Sequence, residues 1–311
     1  MEEGKNGYIS QRMPLGRGVK GWVVERPGLH LSTDACQNLV DDLRSVAGKT
    51  LTQGELNYGV FDSASNALDN SIITILYDTA QNRPIAFNSM PLLNIELEAQ
   101  SFDVVHLGLV MIDPQARSAG LSSILYGFAC AVLLFRNQFR PIWVSSVTQV
   151  PAVFGLVSEL YSDTFPSPKS GRRRSFKHLQ IARHIMGNYR SAFGVGKDAG
   201  FNEDTFVISN AYTGGSDNLK KTFDDAPKHR DQKYNELCKQ VLDYERGDDF
   251  LQIGRIDVAA LRHYIFRTLP ETAFGVSILS LVFFGFQFVL LPIRHWFDAS
   301  KSWGALRPWR I

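Results

Sequence analysis

The sequence predicts an α+β protein, a mixed central sheet flanked by helices, with a hydrophobic helix near its C-terminal end. Three stretches predict it. Residues 104–126 (VVHLGLVMIDPQARSAGLSSILY) pass from a β-branched apolar run, through small residues, into an apolar helical run. Residues 70–88 carry two strand-like runs joined by a polar turn. Residues 273–293 (AFGVSILSLVFFGFQFVLLPI) hold no charge and only Ser277, Ser280 and Gln287 as polar members.

Composition excludes some classes. With 33 basic and 31 acidic residues no global field marks nucleic acid as a partner. Cys36, Cys130 and Cys238 are far apart, odd in number and fit no metal spacing, which points to a reducing compartment without a disulfide frame. The polar start MEEGKNGYISQRM does not read as a signal peptide.

Taken in order, residues 1–30 carry several glycines and no clear period, and read as loop with one strand near 20–25. Ser32, Thr33 and Asp34 can cap a helix through about residue 47, with Cys36, Leu39, Val40 and Leu43 on one face. Residues 70–77 (NSIITILY) read as a strand, 78–83 as a turn, and a returning strand begins at Pro84. Residues 104–112 are the central strand, which Asp113-Pro114 stops because proline has no N–H for the ladder. The helix from Leu121 to Phe135 then starts with unpaired backbone N–H groups at its positive end, a site suited to a phosphate. Residues 142–147 form the next strand and 151–161 the next helix.

Beyond Pro168 the composition changes. Lys169, Arg172, Arg173, Arg174, Lys177 and His178 lead into a helix whose apolar positions, from Phe176 to Phe193, recur every three to four residues. This reads either as a membrane-surface or acidic-partner helix, or as a solvated helix flanking the core; the cluster could also hold a coenzyme phosphate. Residues 206–210 read as a late strand and 232–244 as a helix. The carboxylates of residues 243–249 lack histidine and metal spacing, and read as a solvated acidic loop; if the acceptor is a cation, this loop could recognise it. Gly194-Val195-Gly196-Lys197 is not a P-loop, because Ser191 and Asp198 stand where glycine and a hydroxyl are needed.

Arg117-x-x-Gly120-x-Ser122 resembles the pyrophosphate turn of the GCN5-related N-acetyltransferase (GNAT) superfamily, Gln/Arg-x-x-Gly-x-Gly/Ala, with Ser122 in place of the last small residue. Asp-Pro before it, the flanking strand and helix, the strand PIWVSSVT (141–148) and the helix from Pro151 all stand where that family has them. The resemblance covers about residues 71–165. It implies an acyl-coenzyme A (acyl-CoA) as co-substrate, no metal, and acyl transfer to an acceptor that is usually an amine. The coenzyme would lie on Val110, Met111 and Ile112 and on the turn Arg117, Ser118, Ala119, Gly120, Leu121 and Ser122. Its pantetheine arm would fill the gap where two strands splay apart, with a main-chain N–H near Val110 or Met111 as oxyanion donor.

His106 stands eleven residues before Arg117, where the arylalkylamine branch of the superfamily places a catalytic histidine; the position of a second one is Gly108. By strand alternation His106, Gly108 and Val110 share a face, and the glycine would make room for a bulky acceptor or acyl chain. The resemblance makes His106 the expected general base; a packed, hydrogen-bonded histidine is the other reading. The family's Asn-x-x-Ala-x-x-Leu-Tyr helix motif is only partly matched, by Gln149 and Ala152. Gly155 and Leu156 fall where Leu-Tyr belongs, which leaves Tyr161 as the candidate proton donor. Ser145, Ser146 and Thr148 are further candidates for coenzyme or thioester contact.

The C-terminal run matches the length of a bilayer core and is followed by Arg294, His295 and Trp296, an interfacial signature. A buried core helix or an oligomer arm would read the same way. The expected organisation is an acyltransferase domain over 1–212 with its core at about 71–165, a polar and helical extension over 213–270, and a membrane-associated segment over 271–311. The expected protein is a membrane-associated acyl-CoA-dependent N-acyltransferase with its catalytic domain in the cytoplasm. Its acceptor would be a long-chain lipid amine such as a sphingoid base, as for a bacterial ceramide synthase. A non-catalytic membrane scaffold or acyl-CoA sensor of the same fold is the alternative, and a soluble acetyltransferase of small amines a third.

Overall fold

The computed structural model describes residues 2–3, 8–16, 18–50, 59–61, 66–97, 100–119, 121–169 and 173–263. The chain opens with β1 (Glu2–Glu3), β2 (Ile9–Gly16) and β3 (Val19–Glu25). No sequence pattern announces β2, because it is largely half-exposed and lacks apolar alternation; its pairing with β3 (Ser10↔Val24, Arg12↔Trp22) defines it. After α1 (Pro27–His30) comes α2 (Thr33–Thr50), which buries Leu39, Leu43, Val46 and Ala47.

The expected hairpin is β4 (Ser71–Asp78) and β5 (Arg83–Leu97). The expected central strand is divided into β6 (Gln100–His106) and β7 (Val110–Ile112). Then follow α3 (Leu121–Arg136), β8 (Ile142–Thr148), α4 (Pro151–Leu160), β9 (Ser162–Phe165) and α5 (Phe176–Asn188). β10 (Gly200–Asn202), β11 (Val207–Ser209), α6 (Gln232–Val241), β12 (Asp249–Ile256) and α7 (Val258–His263) complete the described chain.

Among the described residues the strands form one mixed sheet in the order β1-β2-β3-β4-β5-β6-β8-β12-β11-β10, with β7 on β5 and β9 on β12. β6 and β8 run parallel and the other pairs antiparallel. β12 lies within 213–270, read from sequence as polar and helical. It pairs along the whole of β8, from Ile256↔Ile142 to Phe250↔Thr148, and so belongs to the sheet.

Both faces of the sheet are covered, which explains near-continuous apolar strands such as Ile72, Ile73, Ile75 and Leu76. Successive side chains alternate. Ile73, Ile75 and Phe87 meet α2, while Ile72 and Met90 lie with Tyr126, Ala129 and Leu133 of α3. Leu121 and Leu125 of α3 pack on Leu76, Ile85 and Ala86. Each such leucine, fully buried, contributes roughly 1.5–3 kcal/mol. α4 joins α3 on its face through Val157 and Leu160. α5 covers the other face with Ile181, Ala182, Ile185 and Met186, packed on Leu93, Val104 and Leu251.

The apolar stripe of α5 is therefore spent on the core. Ser175 caps the helix, accepting from the His178 N–H at 3.2 Å, and the His178 ring lies 2.7 Å from the Asp163 carbonyl oxygen. Arg174 pairs with Asp204. The flanking-helix reading is the one these contacts support. Among the described residues no helix is long and apolar enough to cross a membrane; the run 273–293 lies outside them.

Candidate active site

β6 is held on both edges, by β5 (Val105↔Leu92) and by β8 (Val104↔Trp143, His106↔Ser145). One bond further on, the Leu107 N–H donates to the Ser145 carbonyl at 2.6 Å, and beyond it the two strands part. Gly108 N–H donates back to the His106 carbonyl at 2.9 Å, a three-residue turn that ends β6. β7 resumes on β5 (Val110↔Asn88), while β8 continues on β12 (Thr148↔Phe250). A gap opens between β7 and the end of β8.

Gly108 is required here for a reason other than the one expected. A Cβ at this position would collide with the Ser89 carbonyl oxygen, so the glycine admits a neighbouring backbone, not a substrate. The interruption also ends the simple alternation through His106, Gly108 and Val110, although all three line the gap.

The main-chain groups of β7 can be assigned from its ladder. Ser89 N–H donates to the Leu109 carbonyl at 2.9 Å and Asp113 N–H to the Ile85 carbonyl at 2.8 Å. In an antiparallel pair alternate residues address the partner, so Met111 addresses β5 while Val110, which lines the cavity, turns its N–H and C=O groups into the gap; Ile112 also turns away from β5, and its carbonyl accepts from the Thr50 hydroxyl at 3.4 Å. Of the two expected oxyanion donors, the Val110 N–H faces the gap. The Met111 side chain is buried with Val24, Phe87 and the inner face of α2.

The gap is part of a cavity of about 210 Å³. Val110 and His106 line one side, Ser146, Val147 and Thr148 the other. Tyr126 of α3 and Val153 of α4 close it on one face of the sheet, and Val60, Phe193, Tyr212, Ser216 and Leu219 on the opposite face. The cavity therefore passes through the sheet.

His106 is buried, with Nδ1 3.0 Å from the Ser145 hydroxyl and its ring stacked on Phe193 at 4.9 Å between centroids. Burial pushes its pKa down to about 3. The imidazole is thus neutral at physiological pH and only weakly basic.

A second titratable group lines the same cavity. Asp249, the first residue of β12, is buried and accepts a hydrogen bond from the Tyr212 hydroxyl at 3.0 Å. Burial pushes its pKa up to about 7, the Tyr212 bond opposing and the adjacent Asp248 carboxylate adding. Asp248 is itself paired with the Arg246 guanidinium at 2.6 and 2.8 Å. The stretch 243–249 is therefore not a uniformly solvated acidic loop, since its last two carboxylates are buried. The signal for this lies just downstream: Phe250, Leu251, Ile253 and Ile256 mark a buried strand that carries the preceding aspartate inward.

Tyr161 follows α4 and is buried outside this cavity. It lines a separate space of about 20 Å³ with Cys130, Leu160, Ile256 and Leu261, its hydroxyl 3.4 Å from the Cys130 sulfur. Tyr126 borders both spaces. Burial pushes the Cys130 thiol up to about 11, the Tyr161 bond opposing.

The turn between β7 and α3 is anchored by Asp113, which is buried. It accepts from Arg83 at 2.6 Å, from the Gln115 N–H at 3.0 Å and from Lys49 at 3.3 Å. Burial alone would raise its pKa, but these donors together hold it below the usual carboxylate value. The backbone of Pro114–Ala119 is one stretch of 3₁₀ helix, followed by Leu121 and Ser122 in the first turn of α3. The side chains of residues 117–119, and all of Gly120, lie outside the described residues. Among the described residues no group of three or more His, Cys, Asp or Glu could hold a metal ion.

No protein-family model and no curated protein matches the chain. Among solved structures it is similar to a mutant AtaT toxin bound to the C-terminus of the antitoxin AtaR and acetyl-CoA, at 17% identity, over 33% of this chain and 64% of that one, with a TM-score of 0.25. It is similar to the ribosomal-protein-S5-alanine acetyltransferase from Vibrio fischeri at 8% identity, over 80% and 98%, with a TM-score of 0.34. A third is Saccharomyces cerevisiae N-myristoyltransferase with bound myristoyl-CoA, at 11% identity, over 67% and 59%, with a TM-score of 0.32. The chain spans less than two thirds of the first and third of these. Likeness at this level assigns no chemistry, so the cavity must be understood from its own geometry.

Proposed function

We propose that this chain is an acyl-CoA-dependent N-acyltransferase of the GNAT kind, acting on an amine with a hydrophobic body. The observation that supports it most is the gap between β7 and β8. A flat, hydrogen-bonding chain such as a pantetheine arm can enter there and pair with the free edge of β7. A thioester carbonyl beside Val110 would then meet a fixed main-chain N–H, the kind of donor that stabilises a developing oxyanion. The phosphates would continue to the start of α3, where unpaired N–H groups and the helix dipole favour anions.

The acceptor enters from the opposite face, past Val60, Leu109, Phe193 and Leu219. These walls suit a hydrocarbon, and the uncharged run 273–293 suits a protein held where lipids partition. A long-chain lipid amine fits both, and a membrane site with the catalytic domain on the cytoplasmic side fits the acyl-CoA.

The test is release of free thiol from acetyl-, octanoyl-, myristoyl- and palmitoyl-CoA by the full chain in detergent, with sphinganine or butylamine as acceptor. Mass spectrometry of the lipid extract would identify the product. Amide formation favouring sphinganine is expected. Saturable acyl-CoA binding without thiol release would favour the sensor, and transfer to butylamine alone would remove the lipid assignment.

A further inference from the structure

We infer that Asp249 is the residue that receives the acceptor: its carboxylate binds the ammonium group and takes the proton that must leave before acyl transfer. The inference rests on the acyltransferase reading above and deepens it, because it makes a protonated primary amine the substrate form. Asp249 stands one residue beyond the last β12–β8 pair (Phe250↔Thr148), at the end of the gap where β8 gives way to α4. It shares the cavity with His106 and with Val110, whose N–H faces the gap.

Its surroundings leave it a carboxylate with one described donor. Tyr212 donates from one side at 3.0 Å. Asp248, the preceding residue, is paired with Arg246 at 2.6 Å, and its carboxylate still opposes a charge on Asp249. Tyr244 lies close by and spends its hydroxyl on the Gln149 carbonyl at 2.7 Å. His106, across the cavity, is held neutral by burial. A buried carboxylate in that setting is poorly compensated, and an arriving ammonium both neutralises it and gains an ion pair inside apolar walls. Burial holds the pKa of this carboxyl up at about 7, which also matches a base that works near neutrality; the histidine at about 3 does not.

The step balances without another reactant. The ammonium gives one proton to Asp249, and the free amine nitrogen forms its bond to the thioester carbon. The carbon–sulfur bond then breaks with its electron pair on sulfur. The second nitrogen proton goes to that sulfur as thiol, the amide keeps the third hydrogen, and Asp249 returns its proton to solvent.

The experiment is the pH profile of kcat/KM for thiol release, with myristoyl-CoA and sphinganine as probes, for the full chain and three variants. Wild type should rise through about pH 7 and level off. Asp249→Asn should fall by about 10²–10⁴-fold and lose that limb. Its myristoyl-CoA affinity, measured by calorimetry, should be unchanged. Asp249→Glu should restore part of the limb, which separates a missing base from a damaged fold. Tyr212→Phe removes a bond that favours the charged carboxylate, so its limb should move to higher pH. Near-wild-type turnover with the same limb in Asp249→Asn would overturn the assignment while leaving the acyltransferase reading intact. No thiol release from wild type would overturn both.

Discussion

His106 and Asp249 face one cavity, and burial drives their protonation in opposite directions. Both effects are visible as stability against pH. For His106 the folded pKa of about 3 lies below the ordinary 6.5. Between these values the unfolded chain binds the extra proton, so stability is lost as pH falls from about 6.5 to 3. His106→Gln should weaken that acid sensitivity, read as the urea midpoint at pH 4.5 against 7.5; an unchanged difference would mean that the imidazole is solvated. For Asp249 the folded pKa of about 7 lies above the ordinary 3.8, so the folded chain binds the extra proton and stability is lost as pH rises through that window. Asp249→Asn should therefore raise the urea midpoint at pH 8 and change it little at pH 4. A residue that costs stability at working pH and faces a cavity is what a functional group in a protein interior looks like. Equal midpoints at pH 8 would remove that argument.

At the scale of elements, the gap exists because two strands stop sharing a neighbour at one glycine. Gly108→Ala would press a methyl group against the Ser89 backbone and place it 3.0 Å from the Pro91 ring. Backbone cannot move aside cheaply, so the substitution should destabilise by about 1–3 kcal/mol and reduce turnover. Gly48→Ala is the control, because its Cβ would meet nothing within 4 Å in α2 and should stabilise by about 0.5–1 kcal/mol. If both variants melt alike, the close approach at Gly108 is not what shapes the gap. The strand, the Asp113-Pro114 stop and the helix from Leu121 were all legible in the sequence, because apolar periodicity and proline act locally. The break at residues 107–109 was not, since a run of Leu, Gly and Leu looks continuous until β8 leaves it. Asp249 was hidden for a related reason. Its burial comes from β12 joining β8 about a hundred residues away in sequence; the polar stretch before it points to solvent, and only the apolar run from Phe250 onward carries the opposite signal.

For the whole molecule, the described strands form one sheet covered by helices on both faces. The apolar side of α5, the one described helix whose basic flank suggests a lipid surface, is buried on Leu93, Val104 and Leu251. The membrane attachment that the proposed lipid acceptor calls for is proposed to lie in residues 273–293. By length and composition, an uncharged run of this kind is what the roughly 30 Å hydrocarbon core would need if helical, and Arg294 and Trp296 would suit its interface. The described residues run to His263, so removal of residues 271–311 takes away no described strand or helix. The truncated chain should keep its thermal transition and its acyl-CoA affinity while moving from the membrane pellet to the supernatant after an alkaline wash. Turnover of a short, water-soluble amine should persist, and turnover of sphinganine in vesicles should fall, because enzyme and acceptor no longer share a surface. Retention of the truncated chain in the pellet would assign attachment to another part of the molecule. Loss of its thermal transition would instead make the segment part of the folded core, the reading its composition also allows.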